Sequence, residues 1–249
     1  MKKYLLKFLF LMSALLFILP ILSTIGMSFW QEKLTLQPWI DLLLDTPVFY
    51  KMFWNSMFYA SVITILELCV ATPCAFGLVT SKISGKKIIF MIYLILMMMP
   101  LQVTLLPNYI GLREMGLLNT RAGIIFPMIF SAFGIVVLHQ YMLNLDEAQI
   151  EAARLETDSV IKILMYVVAP QMKACIIATS VFLFAECFNM LEQPMLFLKE
   201  ERLQNLTVFM MNASGYEGNV LFPASVIFLI PVSILYLYFN DALEKGIKL

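Results

Sequence analysis

Residues 151–170, EAARLETDSVIKILMYVVAP, form a polar island in the second half of an otherwise apolar chain. Glu151, Arg154, Glu156, Asp158 and Lys162 lie there between two long apolar segments. A connection that only reversed the chain would need a few residues. This one is longer, opens on strong helix formers and closes at Pro170, so it predicts a short helix outside a bilayer, built to touch another molecule.

Outward from the island the chain reads as membrane. It has 249 residues, 61% hydrophobic and 14% charged, with mean hydropathy +0.86. Soluble domains have roughly 45–50% apolar and about 25% charged residues. Net charge is zero, which leaves no basic face for nucleic acid. No stretch is polar enough for a soluble domain, so residues 1–249 are expected to form one transmembrane domain. The fold class is an all-α membrane protein: six transmembrane helices with a cytoplasmic helix between helices 4 and 5.

The expected spans follow from apolar runs of about 20 residues. Helix 1 falls within residues 1–30. Its start, with Lys2, Lys3 and Lys7, imitates a signal peptide. The apolar run Tyr4–Trp30 exceeds the roughly 7–15 residues of a signal core, and no small-x-small cleavage site follows. A first loop, Gln31–Lys51, with Trp39, Phe49 and Tyr50, is expected on the outer face. A five-helix core over 53–240 comprises Phe53–Thr80, Ile88–Leu112, Ala122–Leu143, Met172–Leu198 and Val220–Asn240. Pro100 and Pro107 are expected to interrupt the third helix.

Six spans put both termini on one side. Eleven of the seventeen Lys and Arg residues then share it: Lys2, Lys3, Lys7, Lys82, Lys86, Lys87, Arg154, Lys162, Lys173, Lys245 and Lys248. The positive-inside rule makes that side, with both termini and the 151–170 loop, cytoplasmic.

Ionisable groups in a bilayer cost about 2.5–3.5 kcal/mol or more and need a reason. Glu67 and Glu186 sit near the middle of helices 2 and 5, with Glu192 further out. Asn189, Gln102 and Asn108 share their depth or lie toward the outer face. Glu186, Asn189, Gln102 and Glu67 therefore suggest a polar solute pathway, or else protonated carboxyls that bond neighbouring helices. His139 reads as interfacial. Cys69, Cys74, Cys175 and Cys187 lie in apolar segments with no CxxC pair and read as packing residues. One histidine excludes a multi-histidine metal site. HExxH, GxSxG and GxxxxGK[ST] are absent, so the chain reads as no enzyme, with no cofactor of its own; an energy-driven process would need nucleotide on another chain.

Several motifs together resemble the permease subunits of ABC importers. Glu151-Ala152-Ala153 with Pro170 resembles their EAA loop. Gly116-Leu117-Leu118-Asn119-Thr120 with Gly123-Ile124-Ile125, then Ala132-Phe133-Gly134-Ile135 and Gln140-Tyr141, look like the flanking family segments. Phe188-Asn189, Pro194-Met195-Leu196-Phe197-Leu198 and Leu206-Thr207-Val208 continue the likeness, which runs from about Asn55 to the C-terminus. It is nearest to the second permease of maltose-type carbohydrate importers. The resemblance implies a membrane-embedded heterodimer with a second permease, a cytoplasmic ATPase dimer that binds the ATP, and an extracytoplasmic solute-binding protein. It also implies that Glu151, Ala152, Ala153, Arg154, Glu156 and Thr157 couple to the ATPase, whose closure switches the permease from inward-open to outward-open. Three positions depart from the family. Thr157 replaces the usual loop glycine, Leu145-Asp146 replaces Ile-Pro, and Phe188 replaces a tryptophan. Threonine takes a positive φ poorly, so the turn after Glu156 must be made another way, with Asp158 or Ser159 capping the segment that runs to Val168. The alternative function is a proton-coupled secondary transporter that uses Glu67 and Glu186 as relays.

Overall fold

The computed structural model describes residues 2–215 and 219–247. A chain this apolar can satisfy its backbone polar groups away from water only by pairing them internally. Helices do so along most of the described length, and the strand pairing found is a two-residue hairpin, Trp30–Gln31 with Lys33–Leu34. Helix α1 (Lys2–Met27) precedes the hairpin; α2 (Gln37–Leu43) and the 34-residue α3 (Pro47–Thr80) come after it. Next come α4 (Lys86–Met98), α5 (Leu101–Glu114), α6 (Arg121–Met128) and α7 (Ala132–Met142). The polar island contributes α8 (Glu147–Glu156), α9 (Val160–Ile163), a π-helical turn over Leu164–Val168, and α10 (Ala169–Gln171). The rest comprises α11 (Lys173–Phe188), α12 (Glu192–Phe197), α13 (Leu206–Met211), α14 (Leu221–Tyr238) and α15 (Asn240–Ile247).

Four stretches among the described residues are long and apolar enough to cross a bilayer: Leu6–Met27, Pro47–Thr80, Arg121–Met142 and Leu221–Tyr238. Two bent pairs, α4 with α5 and Val160–Gln171 with α11, raise the number to six if each counts as one span. The bends have local causes. Met99 is extended (ψ 128°), as a residue before proline prefers, and Pro100 is extended too (ψ 142°). Together they turn the chain by 99°. Pro107, expected to interrupt the same segment, stays inside α5. The second bend, 83°, comes after the π turn and Pro170, which has no N–H to donate into a regular ladder.

Several expected boundaries need correction. Helix 1 stops at Met27 rather than Trp30, where the chain enters the hairpin. Helix 2 starts at Pro47 rather than Phe53, because a first-turn proline is preorganised for helix. Helix 5 ends at Phe188 rather than Leu198. There the Asn189 side chain donates to the Ala185 carbonyl, 2.7 Å, and competes with the helical ladder. Buried Asn205 holds the Met190 carbonyl at 2.6 Å just beyond, so α12 is a separate helix.

Buried side chains form two main clusters. The first gathers Phe49, Tyr59 and Ile63 of α3 with Leu112, Ile124, Phe188, Phe197 and Phe209. The second gathers Ala71, Ala75 and Phe76 of α3, Ile135, Leu138 and Met142 of α7, and Ile150, Ile163, Leu164 and Val168 of the polar island. Helix α3 holds a large share of both, and α11 reaches both as well, with Phe184, Cys187 and Phe188 in the first and Cys175 in the second. Helix α15 folds back on α11 through Gly246, where a Cβ would lie 2.7 Å from the Ala174 carbonyl oxygen. Helix α1 packs against α14, and its apolar span has no buried residue.

Candidate functional site

The segment from Glu147 to Gln171 is amphipathic in three dimensions. Asp146 caps α8 by accepting from the Ala148 amide at 3.0 Å, so the helix begins one turn before Glu151. On its inner side Ile150 is buried and Ala153 packs against the second core cluster. Glu151, Ala152, Arg154, Leu155 and Glu156 are exposed, and Leu155 is 91% exposed. Thr157 ends the helix with extended backbone (φ −153°, ψ 137°), so no left-handed residue is needed where a glycine is usual. Its hydroxyl accepts from the Ser159 amide at 3.2 Å. Ser159, not Asp158, then caps α9 through the Lys162 amide. Val160, Ile161, Met165 and Tyr166 continue the exposed apolar surface that Leu155 begins.

Two cations tie this segment to α3. The Arg154 guanidinium donates to the Thr80 carbonyl at 3.3 Å. The Lys86 ammonium donates to the Val79 and Ser81 carbonyls at 2.7 and 3.1 Å. Three successive carbonyls at the C-terminus of α3, the negative end of its dipole, thus meet positive charge. A polar cavity of about 370 Å³ lies there, with Lys82, Glu147 and Glu151 also on its wall.

A second cavity of about 370 Å³ lies between α5, the α6–α7 break, α11 and α12. Glu186, Asn108, Thr104, Ser131 and Gln193 supply its polar wall. Glu67, 1% exposed, stands behind that wall near Ser131, Gly134 and Glu186, with its Oε1 buried and without a hydrogen-bond partner among the described residues. Gly134 makes room for it, since a Cβ there would lie 3.1 Å from Glu67 Oε1. The other two expected pathway residues are not on the cavity wall. Gln102 donates to Glu192 at 2.8 Å, and Asn189 is turned to its own helix. His139 stacks on Phe90 with ring centroids 3.9 Å apart and lines neither cavity.

Toward the other end of α3, residues 116–120 build a clamp. Gly116 (φ 69°) closes α5, with the Leu117 amide reaching back to the Leu112 carbonyl at 2.8 Å. Asn119, also left-handed (φ 59°), accepts from the amides of Lys199 and Glu200 and donates to the Glu200 carboxylate at 2.8 Å. Thr120 caps α6 through the Gly123 amide, and Gly123 lies so close to Leu117 that a Cβ would be 2.4 Å from its carbonyl oxygen.

Residues 68–249 match the family described as Binding-protein-dependent transport system inner membrane component. The chain belongs to that family. It is a multi-pass permease component of ABC-importer type, not an enzyme. The arabinooligosaccharides transport system permease protein AraQ of Bacillus subtilis (strain 168) is 26% identical, over 96% of this chain and 91% of that one. The sn-glycerol-3-phosphate transport system permease protein UgpE of Salmonella typhi is also 26% identical, over 82% and 74%. A chain from the crystal structure of a bacterial ABC transporter involved in the import of the acidic polysaccharide alginate superposes with a TM-score of 0.82. At 22% identity, over 94% of this chain and 93% of that one, it shares the fold.

In this permease three features escaped sequence reasoning: Leu155 as an exposed apolar group, Ser131 and Gln193 as cavity polar groups, and Lys86 as a staple on α3. Ser131 and Gln193 each adjoin a local break, and their sole sequence signal is a polar residue near a proline (Pro127, Pro194) inside an apolar run.

Proposed function

We propose that this chain forms half of the translocation pathway of an ATP-driven importer for a carbohydrate, and that Glu147–Gln171 is the segment through which a cytoplasmic ATPase moves it. The chain is then one transmembrane domain over 1–249 with six spans, two of them broken, and both termini in the cytoplasm. Its partners are a second permease, an ATPase dimer that binds the ATP, and an extracytoplasmic binding protein that delivers the solute. The observation that carries this reading is the two-sidedness of the segment. Its outer face, with Glu151, Ala152, Leu155 and Glu156, is exposed, while Ile150, Ile163, Leu164 and Val168 belong to the core that holds α3 and α7. A push on the outer face therefore reaches two helices that border the Glu186 cavity region without passing through a flexible loop. The carbohydrate is supported by the AraQ relative and by the Thr104 and Ser131 hydroxyls and the Asn108 and Gln193 amides on the cavity wall. Family membership does not favour a proton-coupled secondary transporter working through Glu67 and Glu186.

The test is purification from native membranes. Co-purification of an ATPase, lost when Glu151→Lys is combined with Ala152→Trp, is the expected result. A complex that survives both changes with ATP hydrolysis still stimulated by solute would refute coupling through this face.

A further inference from the structure

The cavity beside Glu186 is walled by Thr104, Asn108, Ser131 and Gln193 as well. We infer that it passes sugars that offer hydroxyl donors and carry no anionic group, and that it rejects phosphorylated and uronic sugars; this rests on the carbohydrate reading above. The wall offers acceptors. Glu186 is an exposed carboxyl on it, and Glu67 stands directly behind Ser131. Gln193 is 5% exposed, and its carbonyl oxygen has no hydrogen-bond partner in the chain. The Thr104 and Ser131 hydroxyls and the Asn108 and Gln193 amides stand on the same wall, and a sugar hydroxyl can donate to groups of this kind.

No lysine or arginine lines this cavity among the described residues. Two basic groups of the neighbouring segments are engaged elsewhere: Arg121 lies over the Phe58 ring and on Asn55, and Arg202 pairs with Glu200. An anion leaving water must be paired or hydrogen-bonded to charge. Here it would meet carboxyls instead. A neutral polyol loses only water hydrogen bonds, which the amides and hydroxyls replace. The volume, about 370 Å³, lies within the roughly 300–1,000 Å³ of small-molecule sites. Import of sn-glycerol 3-phosphate or of an acidic polysaccharide by related systems thus does not extend to this chain.

The experiment uses the intact transporter, with partner permease, ATPase and binding protein, in cells that lack other uptake routes for the probes. The probes are radiolabelled neutral sugars from mono- to trisaccharide, sn-glycerol 3-phosphate, and a uronate disaccharide. Uptake of a neutral sugar at least about tenfold faster than either anion, a margin worth ~1.4 kcal/mol, is expected. Anion uptake at a comparable rate overturns the charge rule and leaves sugar import standing. Uptake of no sugar, with an active solute-stimulated ATPase, overturns sugar import and the charge rule with it. Assignment to this cavity is tested with Gln193→Leu and Glu186→Gln. Each should lower neutral-sugar uptake several-fold with the ATPase still bound and the binding protein's sugar affinity unchanged. Unchanged uptake in both variants places selection elsewhere and refutes the assignment.

Discussion

Asn119 combines two demands that one residue type meets well. Its φ of 59° suits Asn or Gly, and its side chain makes three hydrogen bonds to Lys199 and Glu200. Two substitutions separate these roles. Asn119→Gly keeps the backbone and loses the bonds, with an expected loss of about 1–3 kcal/mol. Asn119→Leu loses both and should cost ~1 kcal/mol more. Thermal unfolding in detergent reads the difference, and equal losses would mean the backbone conformation carries no strain. Glu200 adds a pH signature. The Arg202 guanidinium, then the Asn119 amide, hold its carboxyl below the usual carboxylate range. A depressed folded pKa stabilises above the unfolded value, near ~4.3, and that stabilisation disappears as pH falls through the lower folded value. Glu200→Gln should therefore be less stable than the wild type at neutral pH, with the deficit closing in acid below that value. A deficit that stays constant down to about pH 3, well below the unfolded value, would show that shape, not charge, holds this loop.

Two apolar residues of the polar island show how it is divided. Leu155 faces out and Ile163 faces in. Leu155→Asp should leave stability within about 0.5 kcal/mol, as for an exposed site, yet weaken ATPase retention. Ile163→Ala should cost about 2–4 kcal/mol by opening a cavity in the second cluster. Melting curves and ATPase pull-down on the same two variants test the division; the opposite pattern would invert the two faces. How far this was legible depends on what each residue reports. The helix was legible from Glu, Ala and Arg propensity; its end was not, since it stops at Glu156 and the expected close, Pro170, lies inside the later helix α10. The exposure of Leu155 was not, since a leucine beside charges reads the same whether it faces a core or a partner. Nor was the end of α11, because residues 190–198 are mostly apolar and it is the Asn189 side chain on Ala185 and the long-range bond from Asn205 to Met190 that separate them from the helix. Pro100 and Pro107 look alike in sequence, yet only Pro100 breaks its helix. Carboxyls in apolar runs pointed to Glu186, which lines the cavity, and to Glu67, which lies behind it, while Gln102 bonds Glu192 and it is Gln193 that lines the wall.

The two core clusters divide the permease across its length, and the break at Met99–Pro100 lies between the helices that each anchors. Helix α4 has no buried residue and packs on α7, a member of the second cluster. Helix α5 places Leu112 in the first and borders the Glu186 cavity with Thr104 and Asn108. If the segment Glu147–Gln171 couples as proposed, its displacement would move the second cluster, and α4 with it. If α4 and α5 were one rod, that displacement would either drag the cavity wall or be blocked by the first cluster. The extended Met99–Pro100 pair would, on that reading, be the joint at which the halves move apart. Pro100→Ala restores a backbone donor and frees Met99 to become helical, so the segment can straighten. The variant should unfold at the same temperature or higher, because it removes a helix breaker. Solute uptake should nevertheless fall by about tenfold, equivalent to ~1.4 kcal/mol in the barrier, while ATP hydrolysis persists. Uptake and hydrolysis falling together would instead mean that Pro100 supports the fold, and unchanged uptake would mean that the two halves do not need this joint.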